Sequence, residues 1–134
     1  MEPFEFIVDG PPVSLQIRWR EKLRAWKSKV RGEAEKRWPS GQQATSTHVR
    51  VTITHFYKAR SLDVDNIPKP IADALQGLVY VDDDQITDSY CRKRILREDL
   101  VVVSTSALLA QRLSRDEEFL HILVEDAPDQ GVID

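Results

Sequence analysis

The sequence predicts an α/β (α+β) fold: a single domain in which a small mixed β-sheet packs with two or three helices. Three observations carry that expectation. Short β-rich segments with alternating apolar residues recur along the chain, apolar residues spaced three and four apart lie between them, and 134 residues suffice for one core. Two domains of ordinary size would each need about 100 residues. The expected division is one domain over residues 1–126 and a flexible acidic end over residues 127–134.

Taken in order, Phe4-Glu5-Phe6-Ile7-Val8 alternates as a strand and stops at Asp9-Gly10-Pro11-Pro12. Trp19, Leu23, Trp26, Val30 and Ala34 form one helical stripe, which places both tryptophans in the core, and Pro39-Ser40-Gly41 ends that helix. His48 to Tyr57 reads as a long strand with Val49, Val51 and Ile53 on one face. Ile71, Ala74, Leu75 and Leu78 define a short helix that begins between Asn66 and Pro70, since proline is tolerated only in a first turn.

Ile86 to Leu96 reads as another strand, and Ser104-Thr105-Ser106 caps a helix over Ala107 to Leu113. Phe119 to Val124 is the last strand. His48, His55 and His121 fall in strand patterns, where packing or surface roles are expected rather than ligation.

Composition excludes several classes. The lone Cys91 forms no internal disulfide, and no Cys-x-x-Cys or Cys/His cluster is present for zinc. No apolar run approaches the ~18–20 residues of a membrane span, and the acidic start lacks the basic end of a secretory signal. A cytoplasmic protein is expected. The net charge of −3 argues weakly against nucleic acid, but it averages opposed blocks. Nine Lys and Arg stand against three Glu between Ile17 and Trp38, whereas six Asp stand against Lys69 between Asp63 and Asp84. A solvated helix face explains the basic block as readily as a phosphate-binding surface, in which Arg18, Arg20, Arg24, Lys27 and Arg31 would join Arg92 and Arg94.

The chemistry concentrates in Asp63-Val64-Asp65-Asn66, Lys69, Asp73 and Asp82-Asp83-Asp84-Gln85. If both acidic loops lie at one end of a sheet, their carboxylates converge, and each ionised pair about 5 Å apart repels by about 3 kcal/mol at an effective dielectric of 20. A hard divalent cation with oxygen ligands, most naturally Mg²⁺, would relieve this, and Lys69 would add charge. Such an ion activates water and steadies a departing oxygen, which is what phosphodiester hydrolysis needs. Asp63 and Asp65 would point to one side of an extended segment, and Lys69 would bind the scissile phosphate or protonate the leaving oxygen. The competing reading is a set of solvated, helix-capping aspartates. An EF-hand fails, because Ile67 and Pro68 occupy the positions of a ligand and the turn glycine. An aspartyl-nucleophile phosphatase is weak, since Ala59-Arg60-Ser61-Leu62 makes a poor buried strand.

The array Asp63-x-Asp65-Asn66-x-x-Lys69-x-x-x-Asp73-Ala74-Leu75, Gly77, Asp82-Asp83-x-Gln85 resembles the signature of the RusA family of Holliday-junction resolvases and related phage-type endonucleases. The opening Phe6-x-Val8-x-Gly10-x-Pro12 is similar to that family's first strand and turn. The resemblance implies a homodimer that binds four-way DNA junctions and nicks them symmetrically with Mg²⁺, or Mn²⁺ as substitute, in DNA recombination and repair. It implies Asp63, Asp65 and Asp83 as metal ligands and Lys69 as the catalytic lysine. The run Asp82-Asp83-Asp84 leaves the register open by one residue. Two alternatives stand beside it: a nuclease for flaps and forks, and a noncatalytic DNA-binding module.

Overall fold

The computed structural model describes residues 1–134. Four strands, β1 (Phe4–Val8), β2 (Val49–Tyr57), β3 (Ile86–Ile95) and β4 (Phe119–Asp126), form one sheet in the order β1-β4-β2-β3. Three helices, α1 (Arg20–Arg37), α2 (Pro68–Leu75) and α3 (Ala107–Leu113), and two 3₁₀ turns, Val64–Asn66 and Asp83–Gln85, connect them. β4 runs antiparallel to β1 and β2, while β2 and β3 are parallel. The sheet is therefore mixed, as expected. β1 and β2 also share a direction, so the chain must cross over twice, through α1 and then α2.

The two crossover helices cover one face. Leu23, Trp26, Val30 and Ala34 of α1 and Ile71, Ala74 and Leu75 of α2 pack on the inward residues of the sheet, among them Phe6, Val8, Val51, Ile53, Leu120 and Ile122. Each such side chain contributes roughly 1.5–3 kcal/mol on burial. Trp19 departs from the expectation. It sits at the N-cap of α1 with an extended backbone, so the helical period stops one residue short of it and the indole is 64% exposed.

On the other face α3 covers Phe56 and Phe119, whose rings stack 4.7 Å apart. Ser106 caps α3 by accepting the Leu109 N–H, and its hydroxyl donates to Glu5 of β1. The buried Arg112 donates to Asp9 at 2.8 Å and to the Glu118 carbonyl at 3.0 Å. Leu109 is buried and Leu108 and Leu113 are half-buried against this layer. β3 is an edge strand. Its Cys91 is half-buried on the α1 side, where burial pushes the thiol up to about 11. The last eight residues form no helix or strand, although Gln130 donates to Thr87 beside the start of β3.

His55 and His121 are buried, and neither sits in an apolar environment alone. His55 lies 2.6 Å from Glu118 and His121 lies 3.1 Å from Glu5. Burial lowers both imidazole pKa values below 6.5, against the opposing pull of Glu118 and Glu5. Glu5 is held below its usual range, the hydrogen bonds from Ser106 and His121 outweighing its burial. The unfolded chain thus binds more protons than the native one as pH falls past 6.5, so this stability is complete above that value and lost below it. We expect the urea midpoint to fall between about pH 7.5 and about pH 5.5, and His121→Gln to flatten that slope. A midpoint independent of pH in the native protein would contradict the arrangement.

Candidate functional site

α2 begins on Pro68, with Pro70 also in its first turn, where a missing N–H costs nothing. Its buried stripe of Pro70, Ile71, Ala74 and Leu75 turns Lys69 and Asp73 outward, one helical turn apart. Lys69 Nζ lies 2.8 Å from Asp73 Oδ1 and 2.6 Å from Asp83 Oδ2. Lys27 of α1 approaches the other oxygen of Asp73 at 3.4 Å.

The turn carrying Asp83 is rigidly held. Asp82 accepts the Asp84 N–H, and Gln85 accepts the Val81 and Asp82 N–H groups at 2.9 Å each. The Gln85 amide in turn donates to the carbonyls of Thr45 and Thr47, both at 2.8 Å. One buried side chain therefore ties the turn to the segment that enters β2. The N–H of Asp83 donates to Gln76 at the end of α2. Behind the cluster, the buried Tyr80 donates to the Ala72 carbonyl.

The charges reinforce one another. Hydrogen bonds to Asp73 and then Asp83 raise the Lys69 pKa far above its ordinary value, and the Lys69 ammonium holds the Asp83 carboxyl below the usual range. Burial, followed by the charges of Asp83 and Asp73, raises the Tyr80 phenol. Lys69 is thus a fixed cation. A cation in this place could hold a phosphate or protonate a leaving oxygen.

Three features of the expected site differ. Asp63 lies in the turn that enters α2 and Asp83 in the turn that precedes β3, so the two acidic segments flank the crossover instead of sharing one strand end. What meets Asp83 is the side of α2. Asp65 lies in a 3₁₀ turn rather than an extended segment, so the argument that residues two apart face one way does not apply to it. Asp63 and Asp65 are exposed and make no side-chain hydrogen bond or ion pair, and no three carboxylate, His or Cys groups gather closely enough to hold an ion. Asp73 joins the cluster without having been assigned a role; its spacing of four from Lys69 is the signal that identifies it.

The loop leading to Asp63 is fixed from the other side. His55 Nδ1 lies 2.7 Å from Ser61 Oγ, while its Nε2 is held by Glu118. The ring thereby joins β2, the start of β4 and the residue two before Asp63.

The basic residues expected to form one DNA surface divide between the two faces of the sheet. Arg18, Arg20, Arg24, Lys27 and Arg31 belong to α1 and its entry, whereas Arg92 and Arg94 line a cavity of about 220 Å³ with Phe56, Leu100 and Leu109 on the α3 side. Alternation along β3 explains the separation, because Cys91, the neighbour of Arg92, faces α1. Arg92 is also bonded to Thr54. Arg31 donates to the carbonyls of Ala74 and Gln76, capping α2, and pairs with Glu35. Arg20 bends back to the carbonyls of Leu15 and Ile17. Arg18 and Arg24 are exposed and unpaired, as are Lys22 and Lys29.

Comparison with known proteins gives one finding. A family model described as Endodeoxyribonuclease RusA matches residues 12–104, a span that contains α1, β2, α2, β3 and both acidic turns. No curated protein matches.

Removing the Gln85 amide leaves the Asp82 N–H and the Thr47 carbonyl without a partner, and leaves the Val81 N–H and the Thr45 carbonyl only their 3.3 Å bond to each other. Gln85→Leu is expected to destabilise the protein by about 2–4 kcal/mol, measured by chemical denaturation. A loss under about 1 kcal/mol would mean that water replaces these bonds and that the turn is not held by this residue.

Proposed function

This chain belongs to the RusA family of endodeoxyribonucleases, which makes DNA its partner, and on that premise we propose that it resolves four-way DNA junctions by paired symmetric nicks, using Mg²⁺, as a homodimer. The observation that carries the reading is the Lys69 ammonium held between Asp73 and Asp83, beside an acidic turn whose Asp63 and Asp65 carboxylates have no protein partner.

Asp63, Asp65 and Asp83, which do not gather around one point in the free chain, would have to close on the ion as it binds. Their oxygens are hard donors, and no His or Cys is among them, which suits Mg²⁺ and its substitute Mn²⁺. Mg²⁺ keeps several waters and shares its shell with substrate phosphate, so a closed protein cage is not required of this donor set. When bound, such an ion lowers the pKa of a water and stabilises charge at phosphorus.

The chain's own residues do the rest. Lys69 stays protonated and attracts the scissile phosphate, while Asp73 keeps the ammonium aimed at that point. Lys27 offsets part of the negative charge of Asp73. Gln85 and Gln76 keep the backbone of Asp83 in place as the ammonium turns from carboxylate to phosphate. Two opposed strands of a junction require two such sites at fixed separation, which a two-fold dimer supplies.

Asp65→Asn is expected to abolish incision of a synthetic four-way junction in Mg²⁺ while binding in chelator changes little, because it removes a metal ligand and no phosphate contact. Incision at the native rate would refute its assignment. Lys69→Ala is expected to slow incision by roughly 100-fold or more without loss of metal binding by calorimetry. Mapping both strands of junction, flap and fork substrates tests the substrate: unpaired nicks without preference for the junction would favour the nuclease for flaps and forks.

A further inference from the structure

Trp19 is the large aromatic that the helical period assigns to the core and the fold leaves outside. Its indole is 64% exposed, whereas Trp26 and Trp38 are 4% and 9% exposed. The backbone beneath it is not loose. Arg20 donates to the carbonyls of Leu15 and Ile17, the Ile17 N–H donates to Ser14, and the Lys22 N–H donates to the Trp19 carbonyl. Leu15 and Ile17 pack on the core from the same turn. An apolar ring is thus held in water on an ordered support.

Its surroundings say what covers it. Arg18, Lys22 and Arg24 are exposed and carry no acidic partner, and Glu21 is the one carboxylate in this stretch. The topology supplies the position. Both α1 and α2 return antiparallel to the strands that they connect, so they run in the same direction, as the contacts of Lys27 with Asp73 and of Arg31 with Gln76 require. The first turn of α1 therefore lies at the carboxyl-terminal end of β1 and β2, the end from which the chain leads to Asp63. Eight residues separate Trp19 from Lys27, about 12 Å along a helix.

We propose that Trp19 is a base-stacking residue of the DNA site: its ring packs on a nucleobase that a branch point leaves unstacked, while Arg18, Lys22 and Arg24 hold the adjoining phosphates. Continuous duplex offers no free base face, so the contact favours branched over linear DNA. The inference rests on the nuclease reading for its substrate and adds the residue that selects it.

The test uses the full-length protein in chelator, so that nothing is cut. Trp19 alone is open to acrylamide, because the other two indoles are buried. A four-way junction is expected to shield the quenchable emission, and a linear duplex of equal length to shield it far less. By titration, Trp19→Ala is expected to reduce the ratio of junction to duplex affinity about 10-fold, and Trp19→Phe to restore most of it. Equal losses on both substrates, or an unchanged junction affinity, would overturn the proposal. Failure of the nuclease reading is seen separately, as absence of Mg²⁺-dependent incision by the native protein on the same junction.

Discussion

Parallel pairing of β2 with β3 is the constraint from which the site follows. Parallel neighbours cannot be joined by a hairpin, so the chain must leave one end of the sheet, cross a face and re-enter at the other. α2 is that crossing, and its eight residues span only about 12 Å, so the acidic turns before and after it flank one short helix. The candidate site residues are arranged around its exposed side. Lys69 and Asp73 project from the helix, Asp83 comes from the turn that follows it, and Asp63 and Asp65 come from the turn that precedes it.

The charge arrangement resolves a conflict. Four carboxylates around one short helix would repel one another, and Lys69 relieves part of that repulsion by lying between two of them. The same position raises the pKa of the ammonium, through its bonds to Asp73 and Asp83. The supports of this cluster are neutral. Gln85 and Gln76 hold Asp83 through amides, which fix geometry without adding to the local field.

Periodicity made most of the fold legible. The alternation of Phe4, Phe6 and Val8 and of Val49, Val51 and Ile53 located two strands and their inner faces, and the stripe of Leu23, Trp26, Val30 and Ala34 located α1. The acidic array was legible through residue types at fixed intervals. What was hidden depends on where local order stops or on contacts between distant segments. Trp19 fits the period but lies at a cap, where the period no longer governs direction. Asp65 looked extended because nothing nearby announces a 3₁₀ turn. Arg31, Arg92 and Arg20 read as free cations, since a sequence does not display the carbonyls and hydroxyls that engage them. The bond from His55 to Glu118 joins residues 63 positions apart and had no local signal.

The burial of Cys91 has a practical side. A thiol whose pKa stands near 11 is almost wholly protonated at neutral pH, and only the thiolate reacts quickly with maleimides or disulfides. Such a half-buried thiol is expected to react slowly with these reagents. A new cysteine on an exposed position would take a fluorophore or spin label almost alone, so separations between protein and DNA become measurable without first removing the resident sulfur.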